Sequence, residues 1–136
     1  MKPYEHFTQY YETDQMGIIH HSNYIRWLEE ARVFYMDEIG FGYGQMEEKG
    51  IYSPVFEVSC QYKHMVRFHE CVQITVSVEK YNGVRLYLKY EIVNKDTQVL
   101  CATAKSTHCF LDRAHNIVML KKSYPELDRK LKELIS

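Results

Sequence analysis

"CVQITVSVEKYNGVRLYLKYEIVNKDTQVLCATAKSTHCF", residues 71–110, is the stretch that decides the fold. Val72, Ile74, Val76 and Val78 alternate with Gln73, Thr75, Ser77 and Glu79, and a period of two sends successive side chains to opposite faces of a strand. Asn82-Gly83 then offers a tight hairpin turn. Val84, Leu86, Leu88, Tyr90 and Ile92 repeat the alternation, and "NKDT" at 94–97 makes a second turn. Leu100, Ala102, Ala104, Ser106, His108 and Phe110 share one face of a third strand. Strands joined by turns this short form an antiparallel meander with one apolar and one polar face.

Working outward, residues 53–68, "SPVFEVSCQYKHMVRF", read as a further long strand and residues 4–13 as a first one. Between them lies a helical pattern. Tyr24, Leu28, Ala31, Tyr35 and Ile39 recur at steps of four and three, Trp27 and Phe34 widen the stripe, and Ile25 and Val33 extend it. Such a helix is expected to be mostly surrounded by protein. Ser22 or Asn23 would cap its start and Gly40 would end it. A short amphipathic helix with Pro125 in its first turn closes the chain. The class is therefore α+β: a curved antiparallel sheet of about five strands wrapped around one long central helix.

The 136 residues suit one domain spanning 1–136, enough to bury roughly 68% of the unfolded surface. Seventeen basic and eighteen acidic residues leave a net charge of −1, so no overall field draws the protein to nucleic acid or an anionic membrane. No apolar run approaches the ~18 residues of a membrane span, and the start lacks the apolar run of a secretory signal, which points to a cytoplasmic location. Cys60, Cys71, Cys101 and Cys109 form no C-x-x-C pair and read as buried free thiols. Twelve tyrosines suggest aromatic-lined surfaces or an interface with polar edges.

The chemistry gathers where the first strand hands over to the helix, in "YYETDQMGIIHHSNYIRWLEEAR", residues 10–32. A helix N-terminus presents unpaired N–H groups and about half a positive charge, which suits an oxyanion developing on a carbonyl. Asp14 lies just ahead of it, in a segment that Gly17 lets pass close to a ligand. A carboxylate there can attack the carbonyl or activate a water. By spacing alone, Asp14 reads more readily as a turn residue bonding its own backbone. Glu12 shares the parity of Asp14 but is expected to be solvated at a strand end, and Glu29 and Glu30 read as helix-surface or interface charges.

This stretch resembles the signature of the hotdog-fold acyl-CoA thioesterases of the 4-hydroxybenzoyl-CoA thioesterase and YbgC-like group. Asp14, Gly17, Ile18-Ile19, His20-His21, Asn23, Tyr24, Glu29, Glu30 and Arg32 match it in order and spacing, and "THCFLDRAHNIVMLKKSYPELDRKL" extends the likeness toward the C-terminus. The resemblance implies a hotdog fold and hydrolysis of an acyl-CoA thioester to the free acid and CoA. It implies Asp14 as nucleophile or general base, and the His21 N–H as the donor that polarises the carbonyl, with the His21 side chain orienting substrate or water. It also implies that Gly17 lets the loop pass close to the substrate and that Tyr24 shapes the acyl pocket, while Ser22, at the helix start, is read as lying near the carbonyl oxygen. No metal and no cofactor are expected, and the active sites would lie between subunits of a homodimer or homotetramer. Met16 is bulkier than the small residue usual before the glycine, which would narrow the pocket.

The CoA phosphates call for Lys or Arg, and Arg67, Lys80, Arg85, Lys89 and the Lys121-Lys122 pair are the candidates. An acyl carrier protein could replace free CoA. His20-His21 lack the further ligands a metal needs, and His64, His69, His108 and His115 read as ordinary hydrogen-bonded histidines. Two other functions fit the same outline: a non-catalytic acyl-thioester binding protein, and a hotdog hydratase or dehydratase.

Overall fold

In the computed structural model, which describes residues 2–135, the elements run β1 (Tyr4–Phe7), α1 (Ser22–Glu38), α2 (Tyr43–Glu48), β2 (Val55–Tyr62), β3 (Cys71–Tyr81), β4 (Arg85–Asn94), β5 (Leu100–Cys109), α3 (Leu120–Ser123) and α4 (Pro125–Leu134). The five strands form one sheet in the order β1-β3-β4-β5-β2, every pairing antiparallel. The meander is the one the alternation predicts. Val72, Ile74, Val78, Leu86, Leu88, Ile92, Ala102 and Phe110 are at most 2% exposed. Burying each large aliphatic side chain contributes about 1.5–3 kcal/mol. A slip of one residue would turn the whole set outward, so the register is strongly specified. One irregularity is deliberate in effect. A bulge between Val78 and Lys80 reverses the parity of β3, so Lys80 points out and Tyr81 turns in, where its hydroxyl donates to Asp128 on α4 at 2.5 Å.

The helix α1 lies on the apolar face of the sheet through Tyr24, Trp27, Leu28, Ala31, Tyr35 and Met36, each at most 6% exposed. Its end follows from Gly40, whose φ of +89° lets the Gly40 N–H reach Asp37 O and the Phe41 N–H reach Met36 O, closing the last carbonyls. The start differs from expectation. His21 is the N-cap residue and no side chain caps the helix. Ser22 instead bonds His20 Nδ1, while Asn23 reaches back to Glu12 O and His20 O, because the preceding turn already supplies acceptors. Ile25 and Val33 are 38% and 40% exposed, so the far flank of α1 is open in the single chain rather than covered.

Two strand boundaries are corrected. The first strand ends at Phe7, and residues 10–12 form a 3₁₀ turn, because Glu12 bonds back to the Gln9 N–H and breaks the extended path. The strand read over 53–68 is paired only from Val55 to Tyr62, after which Lys63 and His64 both donate to Cys101 O and the chain turns away. The short helix α2 carries no strong period, and only Met46 of it is buried. All four cysteines are free: Cys71, Cys101 and Cys109 are buried, whereas Cys60 is half-buried on β2. Among the described residues, no helix is long and apolar enough to cross a membrane.

Candidate active site

After β1 and its 3₁₀ turn, the chain makes a narrow loop pinned at both sides. Thr13 pairs with Ile19, Ile18 pairs with Arg67, and the Ile19 N–H donates to Val66 O at 2.8 Å. Inside the loop the Asp14 N–H donates to Ile18 O at 2.8 Å and the Gly17 N–H to Asp14 O at 3.1 Å. Gly17 takes φ +76°, and a Cβ added there would meet nothing within 4 Å. The glycine is required by backbone conformation, not by lack of room.

Asp14 is both of the things its spacing allows. Its Oδ1 accepts from the Met16 N–H at 2.8 Å and the Ile18 N–H at 3.4 Å, which is a turn made by an aspartate on its own backbone. That leaves Oδ2 without a hydrogen bond among the described residues, on a half-buried side chain at a cleft. The turn fixes the carboxylate's direction while one oxygen stays available.

The cleft, about 280 Å³, brings Asp14, Ile18 and His21 together with Tyr24 of the first helical turn and with Tyr62, Lys63 and His64 at the end of β2. The His21 N–H has no hydrogen-bond acceptor among the described residues, while its carbonyl accepts from Tyr62 Oη at 3.1 Å. A free N–H at a helix start beside a carboxylate is the arrangement that polarises a carbonyl and delivers a nucleophile to it. The Tyr24 and Tyr62 rings meet edge to face at 4.9 Å. Burial, with the Cys101 and Cys60 thiols adding, pushes the Tyr24 phenol far up and keeps it neutral. Burial also pushes the Cys60 thiol up, which disfavours the thiolate a cysteine nucleophile would need. Among the described residues, no three His, Cys, Asp or Glu side chains cluster as a metal would require.

The remaining candidates separate. Gly17 and Ser22 do not line the cleft themselves, each being the chain neighbour of a residue that does, and the Ser22 hydroxyl and N–H are both spent on His20 Nδ1, at 2.8 and 3.2 Å. Arg67 flanks the loop through its bridge to Ile18, with an exposed side chain. Lys80 and Arg85 stand at the opposite end of the β3–β4 ladder, Lys80 over the Tyr87 ring at 6.0 Å and Arg85 over the Phe56 ring at 4.6 Å, so one chain does not bring them to Asp14. Tyr62, Lys63 and His64 were missed as site residues because a continuous strand over 53–68 hides the turn that aims them at the loop. Only the break in alternation at Lys63-His64 signals it.

Glu12 reverses its expectation. It is 4% exposed, accepting from the Trp27 indole N–H at 2.7 Å and the Gln9 N–H at 2.7 Å, with His6 Nε2 at 3.0 Å. Burial opposes its charge, but the bonds from His6, Trp27 and Gln9 outweigh it and hold the carboxyl below the ordinary glutamate value. Glu30 is likewise engaged, accepting from Tyr4 Oη at 2.6 Å with His6 Nδ1 at 3.2 Å. His108 is fully buried against Ser106, at 2.7 Å.

Comparison with known proteins extends this picture. A family model described as the thioesterase-like superfamily matches residues 8–132. The chain is 34% identical over 119 residues, 87% of its length and 86% of the relative's, to YneP of Bacillus subtilis strain 168, provisionally named an acyl-CoA thioesterase. Among solved structures, a DHNA-CoA thioesterase from Staphylococcus aureus superposes with a TM-score of 0.91 at 33% identity, over 97% of this chain and 89% of that one. A hypothetical protein of Staphylococcus aureus solved in complex with CoA superposes with a TM-score of 0.85, covering 100% of this chain and 89% of that one. At 13% identity that likeness carries the fold alone.

Proposed function

The chain belongs to the thioesterase-like superfamily, and from that premise we propose that it hydrolyses an acyl-CoA thioester to the free carboxylic acid and CoA, using Asp14 and the start of α1. The hotdog fold and the thioesterase relatives support the reaction class. The observation that carries the site is that Asp14 and His21 line one cleft, and that an Asp14 oxygen and the His21 N–H are both without hydrogen-bond partners among the described residues. In this reading the thioester oxygen accepts from the His21 N–H. Water, deprotonated by Asp14, adds to the carbonyl carbon; the C–S bond breaks, and the proton passes to the departing CoA sulfur. In the variant with Asp14 as nucleophile, its carboxylate adds to the carbonyl carbon, the C–S bond breaks to release CoA thiolate, and water then cleaves the resulting acyl anhydride, its proton passing to the thiolate. Placement in the 4-hydroxybenzoyl-CoA thioesterase and YbgC-like branch is part of the same proposal, as are the cytoplasmic location, the single domain over 1–136 and an acyl carrier protein as alternative donor.

We further propose that the working unit is a homodimer or homotetramer joined along β2. Almost every residue of this edge strand is exposed, including Val55 at 46%, Phe56 at 61% and Tyr62 at 48%, and the open flank of α1 adds Ile25. An edge of this kind is normally covered. In a two-fold antiparallel pairing, the Phe56–Arg85 corner of one copy would come beside the Tyr62 end of the other. That would return Arg85 to the site as a partner for CoA phosphate.

Purified protein is assayed against a panel of aliphatic and aromatic acyl-CoAs, beside its Asp14→Ala variant, with sedimentation used for oligomeric state. Hydrolysis by the parent and its loss in Asp14→Ala are expected. Wild-type turnover by Asp14→Ala, or an ester that stays bound and uncleaved, would sink the reading.

A further inference from the structure

The residue that ties the site together is outside the set so far given a chemical role. The Glu12 side chain accepts from Trp27, the sixth residue of α1. Its main-chain carbonyl accepts the His20 N–H at 2.8 Å and the Asn23 side-chain amide at 2.8 Å. One residue, two places ahead of Asp14, thus grips the helix at the residue before its cap, at its second residue and at its sixth. His6 backs the carboxylate and is itself held by Glu30, which also accepts from Tyr4.

The packing of α1 on the sheet does not rest on these bonds alone, since Leu28, Ala31, Tyr35 and Met36 are buried from the residue after Trp27 to about two and a half turns beyond it. What the bonds govern is the lateral position of the 12–23 segment against the helix start. Asp14 and the His21 N–H both ride on that segment. Catalysis is steep in such a coordinate: a displacement of about 1 Å can cost on the order of 10²-fold. Burying a carboxylate is costly unless each lone pair is met, and here the partners are spread over β1, the 3₁₀ turn and α1, so only one relative placement of the three satisfies it.

We propose that Glu12 is a positioning residue, holding Asp14 and the His21 N–H at their working separation by acting through Trp27, His20 and Asn23. This rests on the roles given to Asp14 and His21 above.

Trp27 is the chain's single tryptophan, so its indole N–H gives one NMR resonance that reports the Glu12 bond directly. The test compares Glu12→Gln, Trp27→Phe and Asn23→Ala with the parent in indole chemical shift, melting temperature, kcat and KM. In Glu12→Gln the indole resonance should move upfield, with kcat down 10- to 100-fold and KM within about threefold, in protein that still melts cooperatively. Trp27→Phe and Asn23→Ala should repeat the kcat loss, and they decide the matter if Glu12→Gln does not fold. Parent hydrolysis that Asp14→Ala abolishes, together with wild-type kcat in the folded variants, overturns the positioning role and leaves the proposed function standing. A parent inactive on every acyl-CoA overturns both.

Discussion

The β3–β5 meander and the junction over residues 8–23 are held by different means. In the meander each strand pairs with the next in sequence, the hydrogen bonds are main-chain ladders, and the side chains need only be apolar on alternate positions. In the junction nearly every bond is assigned singly: Asp14 Oδ1 to Met16, Glu12 to Trp27, Asn23 to Glu12 O. The first region spreads its stability over many interchangeable contacts. The second concentrates chemistry in a few that are not interchangeable, which makes it sensitive in function and tolerant in stability.

The hardest blow to that contrast falls on the junction. Asp14→Ala should cost about 10³-fold in kcat/KM, roughly 4 kcal/mol of transition-state stabilisation, with little change in melting temperature. The converse test falls on the meander. Leu88, fully buried on β4, should cost about 3 kcal/mol of stability as Leu88→Ala, read by urea denaturation, while activity per folded molecule stays near wild type.

A third prediction concerns pH. Burial first, and then the nearby Arg32 cation, pushes His108 down to about 4, so the folded protein holds it neutral. Below about pH 6.5 the unfolded chain takes up a proton that the folded chain refuses. The stability from this group is therefore complete above that pH and is lost as pH falls toward 4, by roughly 3 kcal/mol in all. His108→Phe should flatten this part of the stability profile. Glu12 and Asp128, both held below their ordinary values, contribute stability that survives to lower pH and is lost only as they protonate. For Asp128, burial opposes the charge and the bonds from Tyr81 and Lys132 outweigh it.

The smallest effect is expected at Gly17. With open space around a Cβ and φ at +76°, Gly17→Ala should cost about 1 kcal/mol of loop conformation, seen as an activity loss of about fivefold with an unchanged global fold. A loss of several hundredfold would mean that the loop has no freedom to relax, and that the junction is as rigid as the meander.

Legibility followed the same division. The alternation of Val72 to Val78 and of Leu86 to Ile92 was enough to set strands, faces and turns, because those partners are neighbours in sequence. The order Asp14, Gly17, His21, Tyr24 was legible as a unit because it resembles a family signature confined to one short span, a loop and a helix start. Glu12 was not. Its burial depends on Trp27 and His6 arriving from two other elements, and no local pattern distinguishes an acid about to be enclosed from one left in water. Tyr62, Lys63 and His64 were hidden for a related reason: they reach Asp14 across more than forty residues of chain.

By itself, the sequence determined the class of fold, the extent of the meander, the long helix and the short motif that holds Asp14. Periodicity and turn chemistry act between near neighbours and need no knowledge of the rest. Only the tertiary structure decided that Glu12 is a buried anchor, that Ser22 is engaged by His20, and that Lys80 and Arg85 stand at the far end of the sheet from Asp14. Those outcomes turn on where desolvation is met by hydrogen bonds from distant segments, which is settled when the sheet closes around α1.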